Sequence, residues 1–508
     1  MLTNRQYETV GLRFVIDRLE CHSYYGKEEI RVLNAKILDG VPLAELRGDI
    51  FDDLVCINEL VKLPDGQIAL IQEHLHGFKN IRGCVKKFPS TFISEVDLFE
   101  LKGFMLALEQ FLLIWNGSQI HLRGVTFSHM ADALNILDKN KQRTAPFHIP
   151  HEDFPTLRKA RQEKEKIENM IHKHGLNETL INERLVWVQK EDELEQQVLK
   201  ELTDKLRPYA AEFLSNAHNI GRLDFLLAKA VLAKQTEAVC PTLDMETIYQ
   251  RNSYGKHFTK TGHEAKKNTE SKPNSEKQSN TVCAKETISL SNMWNPGTKE
   301  ELQKNGTSFT KISIELPTGC AVITGANMGG KSIAIKTVLL NVILANIGFF
   351  VFADEAVVPL FDDLYFVEEE TGDNFLSSFG TEVMQVNHIV KKIAYEKLFI
   401  AIDEPARATN PYEGAKIARG LVSFLEKQKT TALISTHYDD VHREAGTHYQ
   451  MAGFVARDGA TIEEIKNSVK YELRKVGKSA KVPAEALRLC EILGLYEPLL
   501  AEIQKIGV

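Results

Sequence analysis

In the segment DLFELKGFMLALEQFLLIW (97–115), apolar side chains return every third or fourth position, at Leu98, Leu101, Met105, Leu108, Phe111 and Leu112. That spacing lines one stripe of a 3.6-residue helix. Similar patterns predict that residues 1 to about 250 are almost entirely helical. Residues 157–205 have a different texture: LRKARQEKEKIENMI and KEDELEQQVLKELTDKL are long, charged and thinly apolar, with HGLNET and its Gly175 between them. A narrow apolar stripe in charge-rich helices predicts an antiparallel pair, a short clamp-like unit at 155–205, or else two ordinary surface helices.

Residues 251–285 interrupt the pattern. Between Thr261 and Asn280 the only aliphatic residue is Ala265. Such a stretch buries too little apolar area to offset its ordering entropy, so it reads as a disordered linker. From 286 to 508 the texture becomes short β-rich runs alternating with helical ones. ISIEL (312–316), AVITG (321–325), FVFA (350–353), LFIAID (398–403) and TALIST (431–436) are strand-like. Strands alternating with helices predict an α/β domain built on a largely parallel sheet.

Composition narrows the class. At 508 residues, 43% hydrophobic and 26% charged, the chain resembles a soluble globular protein of several domains. Its net charge of −7 counts against a surface built throughout to coat nucleic acid, although a local basic groove is compatible with it. The seven cysteines are scattered, with no CxxC spacing. That argues against a disulfide scaffold or a zinc site and for a reducing, cytoplasmic setting. The longest greasy run, Val338 to Phe352, contains Asn341, Asn346 and Gly348, and is too short and too polar for a membrane span. The amino terminus has no signal-peptide pattern.

The sharpest chemical signal is AVITGANMGGKSIAIKTVLL. Gly325, Ala326, Asn327, Met328, Gly329, Gly330, Lys331 and Ser332 fit GxxxxGK[ST], followed by Ile333 in the next helix. Glycines let the loop curl its N–H groups toward phosphate oxygens. Lys331 then reaches the β- and γ-phosphates, and the Ser332 hydroxyl is placed to ligate Mg²⁺. The helix that follows adds its positive end. A second element, KLFIAIDEPARATNPYEG, is an apolar strand ending in Asp403 and Glu404. Asp403 would stand near Mg²⁺, and Glu404 would polarise an attacking water. A third, ALISTHYDD, ends a strand at His437, which is in a position to contact a γ-phosphate. Together these predict an enzyme that binds and hydrolyses Mg-ATP.

The stretches TGANMGGKS, DEPARATNPYEGAKIA and STHYDD resemble the ATPase domain of the MutS family, whose patterns run close to TGxNMxGKS, DExxRGTSxxDGxAIA and ATHY. The likeness extends to FVFADEAVVPLFDDLYF (350–366), to the run from Ser377 to Val383, which is similar to STFxxEM, and to GRLDFLLAKAVLAKQTEAVCP (221–241). FKNIRGCVKKF (78–88) is more faintly similar to a lever-helix segment. The resemblance implies a C-terminal P-loop ATPase domain of ABC type, preceded by a mostly helical lever and clamp region. It also implies a dimer, homomeric or with a related chain, in which Ser377 of one subunit completes the nucleotide site of the other. Phe379 and Glu382 would hold that loop, and the amphipathic tail at 482–503 would clasp the pair. Two departures bear on the timing of hydrolysis. The stretch TGDNFL before Ser377 is shorter than the family's, and Arg407-Ala408-Thr409-Asn410-Pro411 replaces Arg-Gly-Thr-Ser. No Phe-x-Glu motif lies near the amino terminus, so the likeness is to a short form without the mismatch-reading domain.

Two cargoes fit such an engine. By resemblance the first is duplex or branched DNA, mismatched DNA included. The cations available at 158–166 (Arg158, Lys159, Arg161, Lys164, Lys166) are interleaved with glutamates, which weakens the case for backbone binding there. The alternative is a partner enzyme. SNMWNPG (291–297) and the tail resemble short MutS-like proteins that accompany cobalamin-dependent aminomutases and are thought to reactivate them. A scaffold without turnover is the third reading, weakened by the presence of Lys331, Asp403 and Glu404.

Overall fold

The computed structural model describes residues 2–89, 93–139, 143, 149, 154–175, 177–243, 286–325, 330–368, 378–452, 471–477, 479–480, 490–491 and 494–505. The linker at 251–285, Ala326, Asn327, Met328, Gly329, Ser377 and residues 482–489 of the tail lie outside the described residues. The chain divides into two compact units, one of residues 19–32 and 55–231 and the other of residues 1–18, 33–54 and 232–508. The second unit therefore includes amino-terminal segments as well as the α/β region.

The first unit is helical. Its helix α1 (Glu95–Gly117) begins at Ser94, whose hydroxyl accepts the Asp97 N–H while Asp97 bonds back, a reciprocal cap that fixes the start. Leu98, Leu101, Met105, Leu108, Phe111 and Leu112 are all buried, as their spacing requires. Phe104 and Phe111 pack edge-on against Phe78 at 5.4 and 5.8 Å, and Phe104 meets Phe213 at 6.1 Å. Helices α2 (Pro155–His174) and α3 (Glu178–Leu206) follow, separated by Gly175 at φ 81° and capped anew by Asn177. Arg161 meets Glu191 and Glu195 at 3.1 and 2.7 Å, and Arg184 meets Glu168 at 2.9 Å. As numbers rise along α2 their partners fall along α3, so the pair is antiparallel. Helix α4 (Ala210–Thr236) comes next.

Among the described residues the second unit contains two sheets. Its strands in chain order are β1 (Thr242–Leu243), β2 (Thr287–Met293), β3 (Ile312–Pro317), β4 (Gly319–Thr324), β5 (Glu355–Val358), β6 (Asp363–Val367), β7 (Leu398–Asp403), β8 (Thr431–Ser435), β9 (Thr447–Met451) and β10 (Leu473–Val476). The main sheet has the order β10-β9-β4-β8-β7-β6 and is parallel except for β10 at its edge. A smaller sheet has the order β1-β5-β2-β3. Helices α5 (Pro296–Lys304), α6 (Lys331–Asn346), α7 (Ser378–Lys392) and α8 (Pro411–Glu426) lie between strands. Every residue of β4 and β8 is buried, which explains their unbroken apolar runs. Val322, Ile400, Ile402 and Ile434 from the sheet pack with Ala418, Val422 and Leu425 of α8.

The strand expected at FVFA is absent, and Val351 instead forms an isolated bridge with Val239. The Phe352 backbone is already committed: its N–H donates to Asn341 Oδ1 at 2.7 Å and its carbonyl accepts the Trp294 N–H at 2.9 Å. The two amides in the greasy run are thus structural. Asn346 likewise accepts the Phe361 N–H at 2.9 Å from within α6. Among the described residues no helix is long and apolar enough to cross a membrane.

Candidate nucleotide site

The carboxyl ends of parallel strands leave a crevice where ligands settle, and the sequence motifs converge on that edge. Strand β4 leads into Gly325, which has φ 132°, and α6 opens at Gly330, which has φ 88°. Both values favour glycine. A Cβ at Gly330 would lie 2.7 Å from the Tyr471 ring, and one at Gly325 would lie 3.0 Å from Met451 Cβ. Lys331 begins α6 and is 2% exposed. Its ammonium donates to the Gly325 carbonyl at 2.8 Å and pairs with Glu404 Oε1 at 3.0 Å. Ser332 is exposed on the same first turn, with the half-buried Ile333 beside it.

Asp403 ends β7 and stands opposite Ser435 of β8 in the parallel register. The Ser435 hydroxyl donates to Asp403 Oδ1. It also accepts the Glu404 N–H at 3.0 Å, as does the Ser435 carbonyl at 3.2 Å. One buried hydroxyl therefore holds both acidic residues. Glu404 itself has φ 54°, an uncommon conformation for a residue with a side chain. Its Oε2 faces Arg407 at 3.4 Å and His437 Nδ1 at 3.6 Å. Lys331, Arg407 and His437 thus converge on a single carboxylate. The crevice beside it is lined by Glu368, Ser378, Glu382, Asp403, Glu404 and Arg407. Glu368 pairs with Lys336 of α6 at 3.2 Å.

Behind the loop, the Thr324 hydroxyl meets His448 Nε2 at 2.8 Å. Burial, and then the neighbouring His442, push the His448 imidazole down to about 4, so it is neutral near pH 7. The two rings stack at 4.3 Å. On the other side of Glu404, burial followed by the Glu382 and Glu404 carboxylates raises the Tyr438 phenol, which keeps it a donor. Its hydroxyl donates to the Ala406 carbonyl at 2.9 Å.

The structure therefore brings Gly325, Gly330, Lys331, Asp403, Glu404 and His437 to one edge. Ser435, Tyr438 and Glu368 stand there too: Tyr438 belongs to the STHYDD stretch, whereas Ser435 stands where the ATHY pattern has alanine and Glu368 lies outside the motifs. Ser435 was legible only through register, because the strand ending in STH lies beside the strand ending in DE.

The chain's residues 321–506 match the model of MutS domain V. The chain is 25% identical over 441 residues to the endonuclease MutS2 of Lactococcus lactis subsp. cremoris strain SK11, covering 82% of this chain and 50% of that protein. It is 32% identical over 194 residues to the DNA mismatch repair protein MutS of Streptococcus equi subsp. equi, covering 37% of this chain and 22% of that one. It is 35% identical over 166 residues to the DNA mismatch repair protein MSH3 of Debaryomyces hansenii, covering 31% and 16%. The chain spans about half the length of the MutS2 proteins that it matches along most of its own length. The domain V match over residues 321–506 and the MutS2 likeness along most of the chain's length support a MutS-family protein.

Proposed function

We propose that this chain binds Mg-ATP at the carboxyl edge of β4, β7 and β8, hydrolyses it, and uses the cycle to move its helical region. The observation that carries the reading is the buried Lys331, whose ammonium lies between the loop carbonyl of Gly325 and the carboxylate of Glu404. Bound ATP with its metal supplies the phosphoanhydride to be cleaved. Lys331 and the loop N–H groups hold the phosphates, while Ser332 and Asp403 hold the metal. Glu404 orients the attacking water and takes its proton on the carboxylate, with Arg407 and His437 tuning that oxygen's surroundings. The left-handed glycines and the neighbouring carboxylates fit such a ligand: a Cβ at Gly325 or Gly330 would crowd Met451 or Tyr471, and polar side chains line the crevice beside Glu404. The reading includes a dimer, of identical or related chains, in which Ser377 reaches the site of the other copy.

Purified chain should hydrolyse ATP in a Mg²⁺-dependent way. Glu404→Gln should still bind nucleotide but turn it over roughly a hundredfold more slowly or worse. Equal rates would remove Glu404 from the role of base.

The proposed cargo is DNA, duplex or branched, in keeping with the MutS2, MutS and MSH3 relatives. The test is ATPase rate and binding with homoduplex, mismatched and four-way-junction DNA across a salt series. A flat response to every DNA would abandon this cargo. One observation favours the second reading, a partner enzyme such as a cobalamin-dependent aminomutase: Arg161, Lys164 and Arg184 of the helix pair are already paired with glutamates. Co-purification of such an enzyme, with release on ATP addition, would favour it.

A further inference from the structure

The turn after β7 contains two non-glycine residues in the left-handed region, Glu404 at φ 54° and Ala406 at φ 58°. A residue with a side chain is strained there, and the pair persists only if its surroundings over-determine it. Among the described residues, three side chains from two segments surround it, the end of β8 with the residues just after it and α7. Ser435 accepts the Glu404 N–H at 3.0 Å, and Tyr438 donates to the Ala406 carbonyl at 2.9 Å. Glu382 of α7 accepts the Ala406 N–H through Oε1 at 2.7 Å. Ser435 and Tyr438 are near neighbours on one segment, whereas Glu382 comes from α7, where it also lines the crevice. Removing Glu382 would leave the Ala406 N–H without its carboxylate and free the turn to relax toward negative φ, swinging Glu404 with it.

We propose that Glu382 is a positioning residue for Glu404: by holding the Ala406 N–H it fixes the turn that aims the Glu404 carboxylate, and so ties turnover to the place of α7. This rests on the reading of the site as an ATPase and deepens it. Glu382 does not need to touch nucleotide. An amide oxygen can stand in for the carboxylate, because the contact is a hydrogen bond accepted from a backbone N–H.

The experiment compares Glu382→Ala, Glu382→Gln and the double variant Glu382→Ala/Ala406→Gly in the full chain. Steady-state ATP turnover and nucleotide affinity are measured for each. Glu382→Ala should lower kcat roughly ten- to a hundredfold and leave ATP affinity within about threefold. Glu382→Gln keeps an amide oxygen for the Ala406 N–H and should return kcat to within about fivefold of wild type. Glycine at 406 adopts positive φ without strain, so the double variant should regain about three- to tenfold over Glu382→Ala. Glu382→Met fills the space without that oxygen and replaces alanine if alanine does not yield folded protein. Unchanged kcat in the variants that lack the acceptor, or Gln as impaired as they are, would overturn the proposal. Parallel loss of affinity and kcat would overturn it too, as the mark of general disruption. A wild-type chain that does not hydrolyse ATP would instead overturn the ATPase reading itself.

Discussion

The Lys331 ammonium lies 3.0 Å from Glu404 Oε1, so the loop lysine and the acid at the end of β7 neutralise each other inside the crevice. A phosphate reaching Lys331 must compete with that carboxylate, and it also meets the carboxylate's negative charge. Glu404→Gln should therefore do two things at once: slow turnover and tighten ATP binding, by roughly tenfold. Lys331→Met should weaken binding by roughly a hundredfold or more. Titration with a fluorescent ATP analogue checks both. An affinity unchanged in Glu404→Gln would mean that the ion pair does not oppose binding.

Asn341 is buried in α6 and serves two loops. It accepts the Phe352 N–H at 2.7 Å and donates to the Trp294 carbonyl at 3.4 Å, while its amide also bonds back to Thr337 at 2.9 Å. Asn341→Leu keeps the volume but strips the buried Phe352 N–H of its acceptor. The cost should be about 2–3 kcal/mol in a urea melt, since an unsatisfied buried donor loses its full desolvation energy. A change well below 1 kcal/mol would show that water or a local shift replaces the amide.

These residues also mark what sequence reading can reach. That Lys331 and the acids at the end of β7 stand at strand ends was legible because each follows an apolar, strand-like run. Strands β4, β7 and β8 were legible because full burial leaves uninterrupted apolar runs. FVFA looked the same by pattern and is no strand: a side chain of the preceding helix, Asn341, takes the backbone donor at Phe352. The Ser435 and Tyr438 contacts depend on strand register and on a left-handed turn at Glu404 and Ala406. Neither leaves a trace in local composition. The joining of residues 1–18 and 33–54 to the α/β unit is likewise a tertiary choice that helical periodicity cannot express.

His448 carries a pH signature. Its imidazole is held down to about 4 in the folded protein, chiefly by burial, against an ordinary value near 6.5. Among the described residues, Thr324, His442 and the Gly477 carbonyl are polar groups that face it. As pH falls below about 6.5 the unfolded chain takes up this proton and the folded chain does not, so stability contributed by the neutral ring is lost with acidification. Between pH 7 and pH 5 the loss should be about 2 kcal/mol. Denaturant melts of wild type and His448→Asn at both values test it through the difference in slope, which cancels carboxylates common to both. Parallel pH profiles would mean that His448 titrates normally.

The antiparallel helix pair is held by charge as well as by its narrow apolar stripe. Glu191 is 8% exposed and receives both Arg161, at 3.1 Å, and Lys164, while Arg161 also reaches Glu195 at 2.7 Å. A carboxylate this enclosed, meeting two cations, is worth more than an exposed pair, and removing it leaves those cations without their shared partner. Glu191→Arg should destabilise the pair by about 2–4 kcal/mol, read as loss of amide protection in residues 155–206 by hydrogen exchange. Arg161→Glu combined with Glu191→Arg restores opposite signs across the interface and should recover at least half of that loss. It should not recover all of it, because Glu195 and Lys164 then face like charges. A double variant no better protected than Glu191→Arg alone would mean that the pair is held by its apolar stripe, with the ion pairs merely tolerated.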